Sequence, residues 1–257
     1  MSSSTETEGL AIDNETLAGW PGLERREPRR SDRHYLVLSS LAEQIRAVVD
    51  TRLADGRMVR VLDVGCGDKP YLPLFAERAS SYRGLDRAAG PLVDDIGSAE
   101  SLPYDQSSFD LVLCTQVLEH ADDPSEVVRE IFRVLAPGGL ALVSTHGVFL
   151  YHPDPPESDR DYWRWTHSGL AKLFRECADW SAVEVRPNRN AVACLGYVLA
   201  QFVDEGARRR LPRGIGAGLT TTINSVAEWL DRRYPTRARV PRPGSLAANY
   251  LVVAEKR

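Results

Sequence analysis

The stretch VLDVGCGDKPY, residues 61–71, most constrains the fold of this chain. It starts as an apolar, β-branched run too short for a helix and then passes through Gly65 and Gly67. Glycines are needed in such a turn because a Cβ would block both the backbone angles and the close approach of a ligand. Pro70 then suits the first turn of a helix. The pattern predicts a strand, a ligand-binding glycine turn and a helix over 70–79.

The rest of the chain alternates short apolar runs with segments of helical periodicity. We predict strands near residues 60–64, 82–86, 92–95, 109–115, 140–145, 180–185 and 249–254. We predict helices near residues 38–53, 124–135 and 166–177, followed by two more between 191 and 230. Such alternation is typical of a doubly wound α/β sheet with helices on both faces. Ligands bind these sheets beyond the carboxyl ends of the strands, where the strand order switches.

The glycine turn also indicates which ligand it binds. A dinucleotide fingerprint needs a third small residue where this chain has Pro70. The turn therefore favours a ligand that carries a nucleoside but no phosphates. Asp86 lies nineteen residues after Gly67, close to the spacing of a ribose-binding carboxylate.

Together these motifs resemble the class I S-adenosylmethionine-dependent methyltransferases, over roughly residues 59–146 and weakly to the end of the chain. The segment SAESLPYDQSSFDLVLCTQVLEH is similar to the family's adenine-binding turn and fourth strand, and VLAPGGLALVST to the turn into its fifth. The resemblance implies a Rossmann-like, seven-stranded sheet that is mostly parallel with an antiparallel last strand. It also implies S-adenosylmethionine as the cofactor.

The resemblance implies that the cofactor contacts the glycine loop, the ribose position, the turn near residue 98 and the end of the fourth strand. The candidate cofactor-binding residues are Asp63, Gly65, Cys66, Gly67, Asp86, Arg87, Ser98, Ala99, Glu100, Thr115 and Gln116. The family often has an Asp where this chain has Ser98. The hydroxyl of Ser98 and the N–H of Ala99 are then the expected adenine contacts, with Asp95 or Glu100 as substitutes.

Methyl transfer from a sulfonium is an in-line displacement, so the protein mainly positions donor and acceptor. A hydroxyl acceptor needs a general base, most often His, whereas a neutral amine does not. His152 is the first candidate, because YHPDPPESDRDYWRWT resembles the loop after strand five in methyltransferases of sugar and glycan modification. Packing of His152 on its neighbours is the alternative. His146 is second, and His120 is expected to order the loop after strand four.

Residues 147–165 break the alternation with prolines, charges and aromatic residues, which is typical of a lid or a binding surface. The candidate substrate-binding residues are Tyr151, Asp161, Tyr162, Trp163 and Arg164. The acidic residues of this loop are Asp154, Glu157, Asp159 and Asp161. They could attract a cation, but we expect a solvated loop and no metal.

The domain organisation follows from composition. Residues 1–24 are polar without periodicity, which predicts a disordered tail. Residues 25–257 are expected to form a single domain with a helical lid over 25–56 and substrate-side insertions over 147–165 and 190–235. The basic cluster Arg25, Arg26, Arg29, Arg30 and Arg33 is either a solvated lead-in to a helix or a grip on an anionic group.

Charge and segment lengths limit the partners. The net charge of −4 gives no basic footprint for nucleic acid. The four cysteines form no C-x-x-C pair, the amino terminus lacks signal-peptide features, and the apolar stretch 191–203 is too short to span a bilayer. We expect a cytoplasmic protein without membrane partners. The stretch 191–203 covers the sheet, forms a homodimer surface or receives a lipid-like quinone.

The predicted function is O-methylation of a small-molecule or sugar-containing metabolite in a biosynthetic pathway, with a histidine base. N- or C-methylation of a natural product is one alternative. A catalytically silent methyltransferase fold that binds a partner is another, and a nicotinamide dehydrogenase is disfavoured by Pro70.

Overall fold

The computed structural model describes residues 10, 12–153, 159–210, 212–233 and 246–257. Its strands form one sheet in the order β3-β2-β1-β4-β5-β7-β6. They are β1 Val59–Val64, β2 Ala79–Asp86, β3 Asp95–Ile96, β4 Phe109–Thr115, β5 Leu135–His146, β6 Trp180–Pro187 and β7 Asn249–Lys256. Strand β7 pairs antiparallel with β5 and β6, whereas the pairs from β3 to β5 are parallel. The predicted fold class is confirmed.

The helices are α1 Asn14–Ala18, α2 Leu23–Arg26, α3 Tyr35–Arg52, α4 Pro124–Val134, α5 His167–Cys177, α6 Ala191–Arg210 and α7 Arg213–Arg233. Local capping signals define two of them. The Asp123 carboxylate accepts the N–H groups of Ser125 and Glu126 at the start of α4, and the Thr166 hydroxyl accepts the N–H of Gly169 in α5. Within the described ranges, no helix combines the length and the apolar character that crossing a bilayer requires.

Both faces of the sheet are covered. Helix α3 packs Leu41 and Ile45 on one face, whereas α4 and α5 pack Ile131 and Phe174 on the other. The chain builds β1, β2 and β3 outward in one direction and then returns to place β4 beside β1. The switch point therefore lies between β1 and β4, and the loops after these two strands meet at one edge.

The predicted helix over 70–79 is wrong. The glycine turn is followed only by a 3-10 helix, Leu72–Leu74, and β2 already begins at Ala79. Pro73 explains this, because a proline in the fourth position of the helix cannot donate the backbone hydrogen bond that continues it. Strand β3 is also shorter than predicted, since only Asp95–Ile96 pairs with β2.

The prediction of a disordered tail is wrong for residues 12–24. Asp13 caps α1 by accepting the N–H of Thr16 at 2.7 Å. Leu10, Ile12, Leu17 and Trp20 then pack against the core on the α3 side of the sheet. The polar composition of this segment hid four apolar side chains that are partly buried against the core. Residues 1–9 lie outside the described part of the chain.

This amino-terminal segment is fastened to the glycine loop. The indole Nε1 of Trp20 donates to the carbonyl of Lys69 at 2.9 Å. The buried Arg26 donates through Nη1 to the carbonyls of Pro21 and Pro70, at 2.7 and 2.5 Å. Its Nη2 donates to the carbonyl of Trp20 at 3.0 Å. The predicted boundary at residue 25 therefore cuts through one continuous contact, and the wall that faces the glycine loop begins before it.

Replacing Arg26 with Met should test this fastening. The change removes three hydrogen bonds from a charged group to backbone carbonyls, so we expect the free energy of unfolding to fall by about 2–4 kcal/mol. Urea denaturation measures this difference. Arg29→Met, at an exposed position three residues away, is the matched control and should change stability by less than about 0.5 kcal/mol. Equal stability of the two variants would contradict the assignment.

Candidate active site

The glycine loop has the strained backbone that the sequence predicts. Gly65 and Gly67 have φ angles of +69° and +48°. A Cβ on Gly65 would lie 2.3 Å from Val117, whereas a Cβ on Gly67 would meet nothing within 4 Å. The N–H groups of Gly65 and Cys66 both donate to the carbonyl of Leu85. The loop is therefore tied to β2 on one side and open toward a ligand on the other.

Two cavities meet beyond the carboxyl ends of β1 and β4. The larger encloses about 470 Å³ and is lined by Gly22, Glu24, Arg25, Asp32, His34, Val37, Leu38, Gly65, Cys66, Gly67, Asp68, Pro70, Asp86, Thr115, Gln116, His120, His146, Phe149 and His152. The smaller encloses about 190 Å³ and is lined by Val64, Gly65, Leu85, Asp86, Arg87, Ala88, Gly97, Ala99, Gln116, Val117, His120 and Ala121. Gly65, Asp86, Gln116 and His120 belong to both walls.

Asp86 stands at the junction of the two cavities with a fixed orientation. Its Oδ2 accepts the N–H of Gly67 at 2.9 Å, and its Oδ1 accepts the N–H of Ala88 at 3.2 Å. Each carboxylate oxygen can accept a further hydrogen bond. The side chain is half-buried and suited to bind a pair of neighbouring hydroxyls.

The smaller cavity is mainly apolar, as a flat heterocycle requires, but not all predicted side chains face it. Arg87 and Ala99 line it, whereas Ser98 and Glu100 do not. The Ser98 hydroxyl accepts the N–H of Glu100, and the Glu100 carboxylate accepts the N–H of Asp122 at 2.7 Å. These two predicted side-chain contacts need correction, because both groups hold neighbouring loops together.

Asp95, the other predicted substitute for the adenine contact, is also occupied. Its carboxylate pairs with Arg83 and accepts the hydroxyl of Tyr104 at 2.8 Å. It lines neither of the two cavities. A hydrogen bond to the edge of an adenine ring would therefore come from the backbone near Ala99.

Asp63 also lies outside both cavities. It is buried beneath the loop, where the hydroxyl of Tyr82 donates to its Oδ2 at 2.7 Å. Burial raises the pKa of Asp63 to about 7. Cys66 does line the larger cavity, and burial raises the pKa of its thiol to about 12. Asp63 thus supports the glycine loop from below, whereas Cys66 faces the larger cavity as a neutral thiol.

Thr115 and Gln116 form the end of β4 at the cavity floor. Gln116 has a φ of +59°. Its side-chain nitrogen donates to the hydroxyl of Ser144 at 2.8 Å and to the Asn249 side-chain oxygen at 3.1 Å. These bonds link β4 to β5 and β7 and fix the floor where the two cavities join.

The charges on the larger cavity wall favour a cationic ligand. Four carboxylates line it, from Glu24, Asp32, Asp68 and Asp86, and Arg25 is the one arginine or lysine among its lining residues. A site with this balance attracts a cation and disfavours a phosphate-bearing ligand. Arg25 belongs to the predicted basic cluster, so one member of that cluster does face the site.

Four of the five histidines line the larger cavity, namely His34, His120, His146 and His152. The rings of His120 and His146 lie 5.9 and 6.1 Å from that of His152, measured between centroids. His34 is neutral, because burial lowers its pKa to about 4. Its Nε2 accepts a hydrogen bond from Arg33 Nε at 3.1 Å.

His146 is paired with a buried acid. Its Nε2 lies 3.2 Å from Glu119 Oε1, and both side chains are almost completely inaccessible to solvent. Burial raises the pKa of Glu119 to about 8 and lowers that of His146 well below its ordinary value. The pair is therefore uncharged at neutral pH. The His146 ring also stacks on Phe149, with centroids 3.6 Å apart.

His120 lies on a 3-10 helix, Leu118–His120, directly after β4. Its Nδ1 is 2.6 Å from the carbonyl oxygen of Arg160. Because a carbonyl oxygen only accepts hydrogen bonds, Nδ1 carries the proton and Nε2 is the acceptor nitrogen of the ring. The sequence predicts that His120 orders the loop after β4, and its place directly after that strand is the signal that also puts it at the cavities.

Asp161 and Arg164 hold the loop that carries His152. Asp161 Oδ2 accepts the backbone N–H of His152 at 2.6 Å, and Asp161 also pairs with Arg164. Arg164 donates to the carbonyls of Phe149 and Leu150. Neither side chain lines a cavity, so their predicted substrate contacts are corrected to a positioning role.

The three aromatic residues among the predicted substrate contacts do not line the two cavities either. Tyr151 and Tyr162 are exposed and line neither. Trp163 also lines neither, and its Nε1 donates to the carbonyl of Ala121 at 2.8 Å. The N–H groups of Tyr162 and Trp163 donate to the carbonyl of Glu119. This segment is thus used to cover the chain around His120, which composition alone does not reveal.

Two of the four acidic residues in the loop over 147–165, Asp154 and Glu157, lie outside the described residues. Among the described residues, no three His, Cys, Asp or Glu side chains come together as a metal site would require.

The sequence does not predict the aromatic wall of the larger cavity, which His34 and Phe149 form. These residues come from distant segments and stack with ring centroids 5.9 Å apart, so no local pattern indicates their contact.

The Glu119 pair should give the stability a specific pH dependence. The unfolded carboxyl ionises near its ordinary value of 4.5, whereas the folded one holds its proton to about pH 8. The contribution of the Glu119 carboxyl group to the free energy of unfolding is therefore fully present below pH 4.5 and is lost as the pH rises to about 8. Glu119→Gln cannot ionise, so we expect its free energy of unfolding to improve relative to wild type between about pH 5 and pH 8.

Urea denaturation at several pH values measures this difference. Glu126→Gln, a substitution in an exposed ion pair of α4, is the matched control and should follow the wild-type curve. A constant difference between Glu119→Gln and wild type across this range would contradict the raised pKa.

Comparisons with known proteins agree with this geometry. Residues 62–143 match the family described as "Methyltransferase domain". A ubiquinone biosynthesis O-methyltransferase of Pseudomonas fluorescens is 36% identical over 101 aligned positions, and the match covers 34% of this chain and 44% of that protein. A probable S-adenosylmethionine-dependent methyltransferase of Mycolicibacterium smegmatis is 40% identical over 103 aligned positions, and the match covers 36% of this chain and 40% of that protein. The match thus spans less than half of these relatives.

Solved structures share the fold at lower identity. The cyclase SpnF superimposes with a TM-score of 0.52 and 22% identity, covering 84% of this chain and 81% of that one. Phosphoethanolamine N-methyltransferase 2 of Haemonchus contortus, in complex with S-adenosyl-L-methionine, gives a TM-score of 0.52 at 15% identity. The superposition covers 91% of this chain and 59% of that one. The cofactor expected from the sequence, S-adenosylmethionine, is confirmed by these family matches. The family match identifies residues 62–143 as a methyltransferase domain, and its glycine loop and strand order are similar to those of the class I S-adenosylmethionine-dependent methyltransferases.

Proposed function

We propose that this chain transfers a methyl group from S-adenosylmethionine to a hydroxyl oxygen of a small-molecule or sugar-containing metabolite, with a histidine as general base. The observation that carries the proposal is the position of His120 in the walls of both cavities. Relatives named as O-methyltransferases of ubiquinone biosynthesis support oxygen as the acceptor atom. The match to them covers the cofactor half of the fold, so the acceptor itself rests on the chemistry of the cavity.

The residues present fit the cofactor. The smaller, apolar cavity suits the adenine, and Asp86 at the junction suits the ribose hydroxyls. The larger cavity offers carboxylates to the ammonium group and Arg25 to the carboxylate of the methionine part. When bound there, the sulfonium supplies an electrophilic methyl group to an acceptor in the larger cavity.

His120 is the best candidate for the base. His34 Nε2 already accepts from Arg33, and the His146 ring, whose Nε2 faces Glu119, is almost completely inaccessible to solvent. In His120 the Arg160 carbonyl binds Nδ1–H and leaves Nε2 to receive the proton of the acceptor hydroxyl. As that proton arrives, the same carbonyl stabilises the imidazolium. His152, the base favoured by sequence, is the second candidate.

The far wall of the larger cavity favours an acceptor with a ring or an apolar skeleton. His34, Val37, Leu38 and Phe149 line this wall. The Phe149 ring is backed by Tyr197 of α6, with centroids 5.2 Å apart. Aromatic and aliphatic walls with few convergent polar groups are typical of sites for small organic molecules. The excess of carboxylates also disfavours an anionic acceptor.

Asp86→Ala should weaken cofactor binding. The substitution removes the carboxylate proposed for the ribose and two hydrogen bonds that shape the loop. We expect the binding free energy of S-adenosylmethionine to weaken by about 2–4 kcal/mol, measured by isothermal titration calorimetry. Asp50→Ala, at an exposed site on α3, is the matched control. Wild-type affinity in Asp86→Ala would remove this residue from the cofactor site.

His120→Asn should slow turnover and spare cofactor binding. The asparagine amide can still donate to the Arg160 carbonyl, but the acceptor nitrogen of the ring is lost. We expect kcat to fall by about 10²–10⁴-fold. The assay measures release of S-adenosylhomocysteine with phenols, catechols and glycosides as acceptors, and calorimetry measures cofactor affinity.

His152→Asn is the comparison variant and should lose less activity. A larger loss in His152→Asn than in His120→Asn would assign the base to His152. Turnover of amines in place of every hydroxyl acceptor would overturn the proposal in favour of N-methylation. Cofactor binding without turnover of any acceptor would favour a binding protein.

A further inference from the structure

The His34 ring lines the larger cavity with one hydrogen-bond donor unused. The guanidinium of Arg33 donates from Nε to His34 Nε2 at 3.1 Å. A guanidinium group only donates hydrogen bonds, so Nε2 is the acceptor and the proton of the neutral ring is on Nδ1. Burial lowers the pKa of His34 to about 4, which keeps the ring neutral at pH 7. Nδ1 is accessible, and none of the described residues accepts its hydrogen bond.

Two helices far along the chain hold the backbone that carries His34. The side-chain nitrogen of Asn224, in α7, donates to the carbonyls of Arg30 and Asp32, both at 2.8 Å. The side-chain nitrogen of Gln201, in α6, donates to the carbonyl of the residue directly before His34 at 2.9 Å. Both side chains are buried, and neither lines the larger cavity. The position of His34 is therefore set from behind the cavity wall.

Ring contacts fix the orientation of the His34 side chain. The ring stacks on Phe149, with centroids 5.9 Å apart and the planes 19° from parallel. Tyr197 lies against it as well, at 6.1 Å between centroids. The Asp32 carboxylate accepts the backbone N–H of His34 at 2.7 Å. A ring held by packing and by hydrogen bonds on its other nitrogen and its backbone is preorganised, so the direction of Nδ1–H is fixed.

His34 and the candidate base lie at opposite ends of one row of rings. In the order His120, His152, Phe149 and His34, neighbouring centroids are 5.9, 6.1 and 5.9 Å apart. All four residues line the larger cavity. A small molecule whose hydroxyl lies at His120 therefore places a different part of its skeleton near His34.

The surroundings of Nδ1–H limit the group that it can bind. Four carboxylates line the same cavity and disfavour a carboxylate or a phosphate there. Val37, Leu38 and Phe149, the neighbours of His34 on the far wall, are apolar and leave the hydrogen bond to the histidine. The partner of Nδ1–H must accept a hydrogen bond, carry no negative charge and sit against apolar groups. A carbonyl oxygen on an aromatic or aliphatic skeleton meets all three conditions.

We propose that His34 determines acceptor specificity by donating its Nδ1–H to a carbonyl oxygen of the acceptor. A molecule without this oxygen leaves the donor unpaired in the complex, which lowers its affinity. The inference rests on the proposed function, because it takes the larger cavity as the acceptor site. Its test measures binding and not turnover, so the two can fail separately. Carbonyl preference without methylation of any hydroxyl would contradict the proposed function alone.

Calorimetric titration of the whole chain, saturated with S-adenosylhomocysteine, tests the inference. The probes are para-hydroxyacetophenone, which has a carbonyl oxygen, and para-ethylphenol, which has the same carbon skeleton without it. We expect wild type to bind the ketone about fivefold more tightly. His34→Leu should bind the two compounds equally. His34→Gln keeps a side-chain N–H donor and should keep part of the preference.

Arg33→Met tests the protonation state of the ring without changing the ring. Removal of the guanidinium frees Nε2, so the proton is no longer held on Nδ1. The preference for the ketone should then fall below about twofold. Arg29→Met, at an exposed position of the same segment, is the matched control and should keep the wild-type preference.

Calorimetric binding of S-adenosylmethionine reports that each variant is folded. Three results would overturn the inference, and each leaves methylation of a hydroxyl possible. They are equal binding of the two phenols by wild type, binding of neither phenol, and a preference for the ketone that survives His34→Leu.

Discussion

The fastening of residues 20–26 to the glycine loop is the contact on which the candidate site depends. The carbonyl of Pro70 accepts from the buried Arg26, and that of Lys69 accepts from Trp20 as well as from the N–H of Leu72. Unpaired buried carbonyls are costly, so the amino-terminal segment and the loop form one unit. This unit supplies both the glycine turn, where we propose that the cofactor binds, and the wall containing Arg25. Any opening of the cavity on this side must break these bonds or occur after residue 26.

Behind the opposite wall, a buried polar cluster joins three segments. Glu119 pairs with His146 at the end of β5 and accepts the hydroxyl of Thr145 at 2.8 Å. Its backbone carbonyl accepts two N–H groups of the segment near Trp163. The 3-10 helix that presents His120 is therefore held by the strand beside it and by the loop above it. An uncharged acid–histidine pair can do this inside the protein, because it avoids the cost of burying a net charge.

The parts of this architecture that were predicted correctly are those with local causes. Strand β4 is found at Phe109–Thr115 as predicted, since a continuous apolar run is what a strand covered on both faces requires. The start of α4 follows from the capping side chain of Asp123. The errors share a different cause. Trp20 lies in the segment predicted to be disordered and Trp163 is a predicted substrate contact, and each is fixed by a hydrogen bond to a carbonyl distant in sequence.

The same distinction explains why the sequence and the structure favour different candidates for the proposed base. The resemblance of the loop after β5 to that of other methyltransferases favours His152, whereas His120 follows an ordinary strand end. The structure favours His120 through the partner of its ring, because a base needs one nitrogen held and the other available. The Arg160 carbonyl supplies that hold to His120 from forty residues away. Because the Arg160 carbonyl comes from the same loop that covers Glu119, the order of that loop and the orientation of the His120 ring are linked.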